Sequence, residues 1–254
     1  MMQNKKSILL TSLSYLGYLL TWGIAQVWAK TQDEIAAFWS LLFFITIHIA
    51  VFGIAIPLHL IRHFGFELKA STSRRGLALG LVALALVFIA GTFLSGSLTT
   101  LSADPPTIAG IGKYLLLFVP MALGICLQCF VLIPQAVQVA LGNKSWASIA
   151  ATLIAAVSVG MGFWIDQLFT NVEDALTMGI LGVFLVIGSQ KSRSLPLTYL
   201  SFLPIMLINT LAEGKYYDSP SSALVIGFAV CTLVTFYFWQ SRSSKTNWSP
   251  TAVG

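Results

Sequence analysis

The chain has 254 residues, 57% of them hydrophobic and only 9% charged, and its mean hydropathy is +0.85. A soluble domain carries roughly 25% charged residues, so fourteen Lys/Arg and nine Asp/Glu cannot coat a globule of this size. A stably soluble monomer and a disordered chain are excluded, and three cysteines exclude a disulfide scaffold.

What remains is an all-α, polytopic membrane protein. A crossing helix needs about 20 apolar residues. On that measure the sequence predicts eight spans, near Ile8–Trp28, Phe38–Ile61, Leu77–Leu98, Tyr114–Leu141, Trp146–Ile165, Ala175–Ser189, Leu195–Leu211 and Ala223–Trp239. The first follows Lys5-Lys6 and ends on Val27-Trp28-Ala29, a signal-peptide-like pattern, but its apolar run is longer than a signal's and it is read as a span. The fourth is long and carries Pro120 and Pro134, which predicts a tilt or kink. The sixth and seventh are short and are expected to need thinned bilayer or shielding by neighbours. Continuously apolar runs, rather than alternating ones, argue against a barrel.

Loop charge orients the spans. With the amino end cytoplasmic, inside segments hold Lys5, Lys6, Arg62, Lys69, Arg74, Arg75, Lys144, Lys191, Arg193, Arg242 and Lys245. Outside segments hold only Lys30, Lys113 and Lys215, as the positive-inside rule requires. Of the acids, only Glu67 falls inside. An odd number of spans would scramble this alternation, so eight spans with both ends cytoplasmic are expected. Residues 1–240 then form one integral-membrane domain, and 241–254 a polar cytoplasmic tail. The cationic residues are dispersed among loops, so the bilayer and a membrane-protein partner are the expected associates, not nucleic acid.

Intramembrane polar residues are the candidates for chemistry. His48 falls near mid-bilayer, where an ionisable group is a functional hypothesis by default. At 100° per residue His59 and His63 project from the same side of that helix. As an i,i+4 pair they are a weak metal candidate without Cys, Asp or Glu beside them. Gln128 and Gln135 are seven apart, expected on one face of span four and turned toward other helices. Thr152, Ser158 and Asn209 are the expected partners. Together His48, Gln128, Gln135 and Asn209 make a candidate intramembrane polar site. Cys126 and Cys129 form a CxxC at mid-membrane, a candidate redox pair although no cation is near in sequence. Walker, GxGxxG and HExxH motifs are absent, and no cofactor is implied.

The segments Gln128 through Ala140, Leu141-Gly142-Asn143-Lys144-Ser145-Trp146, Gly179 through Gly188, and Lys191-Ser192-Arg193-Ser194-Leu195-Pro196 follow a known order. Over roughly residues 115–211 the chain resembles the CAAX-protease and bacteriocin-processing (CPBP) family of intramembrane metalloproteases. The resemblance implies an eight-span scaffold with cytoplasmic ends. It also implies a catalytic set of paired glutamates, an arginine and histidines, which this sequence lacks. Gln128-Cys129 stand where the glutamates belong, Ile133 stands near the arginine position, and spans five and seven contain no histidine. The expected function is therefore that of a non-catalytic pseudoenzyme, acting by binding or assembly with a membrane partner in a bacterial inner membrane. The alternatives are a small permease component using the polar site, and a thiol-redox or quinone-linked protein using Cys126 and Cys129.

Overall fold

The computed structural model describes residues 2–29, 34–66, 68, 78, 81–82, 85, 107–142, 144–166, 169, 172–192, 194–213 and 220–243. These are helical almost throughout. They comprise α1 (Met2–Ala29), a first long rod, a second long rod, then α6 (Ala147–Asp166), α7 (Val172–Ser192), α8 (Leu195–Glu213) and α9 (Ser221–Ser243). The first rod is built from α2 (Glu34–Phe43), a π-helical stretch (Phe44–Ala55) and α3 (Ile56–Phe64). The second repeats the scheme with α4 (Ile108–Ile125), a π stretch (Cys126–Leu132) and α5 (Ile133–Leu141).

Six helices among the described residues are long and apolar enough to cross a membrane: Lys5–Ala29, Ile35–Phe64, Ile108–Leu141, Ala147–Ile165, Ala175–Ser192 and Ser221–Phe238. The chain is a multi-pass helical membrane protein. Most of the third expected span, Leu77–Leu98, and the Asp104-Pro105-Pro106 turn lie outside the described residues. The two spans expected to be short form helices of 21 and 19 residues. Hydropathy fades at Glu173, Gln190 and Ser192, but a helix is held by its backbone and continues through polar ends that meet headgroups or water.

Both rods end alike, and proline explains why. Pro57 and Pro134 each stand second in the closing α-helix, two residues after the last of the π stretch. A proline inside an α-helix lacks the amide for its i−4 carbonyl and clashes with it. The π register shifts the pairing: Ile56 N–H bonds Val51 O and Ile133 N–H bonds Gln128 O, each five residues back. Each rod then stops on a glycine eight residues after its proline, Gly65 (φ +69°) and Gly142 (φ +64°). Gly65 takes the left-handed helical cap and Gly142 a more extended backbone at positive φ, and both cost little only for glycine.

The second rod is the centre of the bundle: 83% of its most apolar stretch is buried, against 50% or less in the other five spans. It crosses the first rod where Gly53 meets Gly124, so tightly that a Cβ on either would stand 3.2 Å from the other's Cα. Small residues let the backbones approach, which is how helices gain packing energy where lipid removes the hydrophobic drive. The same device joins α6 to α7, where a Cβ on Gly160 would lie 2.8 Å from the Ala175 carbonyl.

The first helix shows which solvent the fold was built for. Ser7, Thr11, Ser14, Tyr18 and Thr21 of α1 are buried, while Leu9, Leu13, Leu16, Leu20, Ile24 and Val27 are exposed. Polar groups inside and leucines outside would be ruinous in water and are natural in hydrocarbon.

Candidate functional site

Many hydroxyls in the bundle bond back to carbonyls of their own helix, and a smaller set of polar side chains joins helices. Ser14 of α1 donates to Gln128 Oε1 at 3.3 Å. Seven residues on, Thr21 Oγ1 lies 3.1 Å from His48 Nδ1 and 2.8 Å from the Gly17 carbonyl. If Thr21 donates to that carbonyl, its lone pair receives the His48 Nδ1 proton, leaving Nε2 as an acceptor. The His48 ring is boxed by Tyr18, Trp22 and Phe44, with ring centroids 4.2, 5.2 and 4.8 Å away. Tyr15 donates to the Ser158 carbonyl, and Tyr199 to the Val119 carbonyl at 3.1 Å. Among the buried polar atoms without a partner are His48 Nε2 and Gln128 Nε2, on the two rods, and Gln190 Nε2 on α7.

Proline again dictates a side-chain contact. Phe130 lies four residues before Pro134, so its carbonyl lacks its α-helical donor, and Ser189 Oγ of α7 donates to it at 3.3 Å.

Several expectations are corrected by the π register. His48 is fully buried, whereas His59 and His63 are exposed with their rings parallel at 6.2 Å, so the three are not gathered in one environment. Likewise Gln128 faces α1, while Gln135 is half-buried and lines a separate cleft, so the two amides do not form one site. An angle of 100° per residue holds only for an unbroken α-helix, and wider turns intervene in both rods. Thr152 and Ser158 bond back to Ser148 O and Ile154 O of their own helix. Ser14 is the partner of Gln128 that sequence reasoning missed. The signal was present in the 4-3-4-3 spacing of Ser7, Thr11, Ser14, Tyr18 and Thr21. The Asn209 side chain lies outside the described residues. Cys126 and Cys129 are buried free thiols, as is Cys231, which contacts the Ile45 carbonyl. Among the described residues no group of three or more His, Cys, Asp or Glu is placed to hold a metal.

Polar groups converge on open volume at one end of the bundle. A cleft of about 300 Å³ lies where the second rod meets α6, α7 and the start of α8. Gln135, Gln138, Ser148, Gln190, Lys191 and Ser194 line it, over a floor that includes Phe130, Val131 and Pro134. Leu195 N–H donates to the Leu68 carbonyl at 3.3 Å, bringing the segment after the first rod to the rim. A second hollow, of about 390 Å³, is an apolar groove between α6 and α7. No protein-family model, curated protein or solved structure matches the chain.

Proposed function

We propose that this is a non-catalytic membrane protein that works by binding, and that the polar cleft receives a polar group presented by a partner or by the membrane at the cytoplasmic surface. The observation that carries the reading is the division of polar residues. At mid-depth Ser14–Gln128 and Thr21–His48 join α1 to the rods, whereas Gln135, Gln138, Lys191 and Ser194 surround volume open to the end of the bundle. The proposal includes eight spans with both ends cytoplasmic, in a bacterial inner membrane. Arg62, Lys144 and Lys191 at the ends of α3, α5 and α7 support that orientation, since inside loops gather cations. The Arg62 guanidinium stacks over the Phe238 ring at 5.2 Å, which supports α9 finishing at the same end as the first rod. The CPBP-like scaffold belongs to the proposal on its sequence segments alone.

The test is direct. Purified protein should cleave no prenylated or hydrophobic peptide and carry no stoichiometric metal. Metal-dependent proteolysis abolished by His48→Ala would overturn the reading.

One observation favours a second reading, a small permease component: two buried polar atoms, His48 Nε2 and Gln128 Nε2, lack partners. A polar solute or proton passing between helices would supply them. On this reading proteoliposome flux falls in His48→Ala and Gln128→Leu. Flux indifferent to both substitutions removes that site.

A further inference from the structure

We propose that the cleft binds a phosphate-type anion, carried either by a phospholipid headgroup or by a free phosphate compound. This rests on the cleft being the binding site, and it names the ligand.

The lining contains one cation, Lys191, and no carboxylate among the described residues. Around the cation stand the amides of Gln135, Gln138 and Gln190 and the hydroxyls of Ser148 and Ser194. The Ser148 hydroxyl donates its one proton to Gln190, so the donors this wall offers an anion are Lys191, the amide N–H groups and the Ser194 hydroxyl, and a charged acceptor makes each such bond stronger.

Gln190 gives the site its sign. Its Oε1 accepts from Ser148 Oγ at 3.2 Å, and its Nε2 is buried without a partner. The residue therefore has its acceptor occupied and a donor unused, which calls for an acceptor on the ligand.

Helix ends reinforce this. The cleft is bordered by the amino ends of α6, near Ser148, and of α8, at Ser194 and Leu195, where the backbone carries partial positive charge. The carboxyl ends of α5, near Gln138, and of α7 lie there too, and Lys191 in the last turn of α7 is the cation set against those negative poles. Beneath the polar groups, Phe130, Val131 and Leu195 give the cleft an apolar side. A ligand bearing an acyl or glycerol portion is suited to such a mixed wall. Basic pockets between spans on the cytoplasmic side are a recognised setting for anionic headgroups.

The experiment uses the full chain in detergent micelles, with binding read by native mass spectrometry. Dioleoyl phosphatidylglycerol, dioleoyl phosphatidylcholine and inorganic phosphate are titrated separately. One phosphatidylglycerol should be retained in preference to phosphatidylcholine, and Lys191→Gln or Gln190→Leu should each weaken it about tenfold, the worth of a charge-assisted hydrogen bond. Lys191→Arg should restore most of the affinity, and Lys144→Gln, outside the cleft, should not alter it. Inorganic phosphate that binds alone with the same residue dependence would assign the site to a free phosphate. Lipid retention indifferent to Lys191→Gln and Gln190→Leu, with no phosphate binding, overturns the inference. In that event, a cysteine at Ser148 that still reacts with a water-soluble thiol reagent leaves the cleft standing as a site for another ligand. An unreactive cysteine removes the cleft itself.

Discussion

Ser189 shows how a single hydroxyl sustains a break in a helix. Pro134 deprives the Phe130 carbonyl of its usual amide, and the Ser189 hydroxyl supplies the missing donor. Ser189→Ala should cost about 1 kcal/mol of folding stability, within the range of interhelical bonds in membranes. In a Pro134→Ala background, where residue 134 regains its amide, the same substitution should cost markedly less. Unfolding midpoints of the four proteins in mixed micelles measure the coupling. Equal costs in both backgrounds would mean that Ser189 does not serve the proline. The Ser14–Gln128 and Thr21–His48 pairs act on the same principle, each fixing one rod against α1.

At the scale of the element, the two rods are held by their crossing at Gly53 and Gly124. Neither backbone can retreat easily, since both belong to the interior of long helices, so Gly124→Val should destabilise the protein by about 1–3 kcal/mol through overpacking. Thermal unfolding in detergent checks this, and an unchanged midpoint would show that the crossing is loose.

Much of this architecture was legible in the sequence, because a crossing helix announces itself by some twenty apolar residues and little else is needed. Seven of the eight expected spans fall on described helices, and the remaining one, Leu77–Leu98, lies mostly outside them. The π stretches were not legible, although Pro57 and Pro134 marked their positions. Apolar sequence has no hydropathy signature for helical register. A face reckoned at 100° per residue does not carry across a π stretch, and Gln128 meets α1 while Gln135 lines the cleft. The cleft was invisible for another reason: its wall draws on α5, α6, α7 and α8, which sequence spacing cannot bring together.

At the scale of the whole molecule, scarce charge and inward-turned polar groups describe one design. Leucines turn outward on α1, polar residues turn inward to join helices, and the polar groups that remain gather at one end around a cleft. On the proposed reading, this cleft is open to water at the cytoplasmic surface. Ser148 is exposed and lines it, and the native thiols Cys126, Cys129 and Cys231 are buried, so Ser148→Cys supplies a selective probe. A membrane-impermeant maleimide applied to intact cells and to inside-out vesicles measures its position. Labelling in the vesicles and none in the cells is the predicted result. Labelling of intact cells, or a thiol that stays unreactive on both sides, would contradict it.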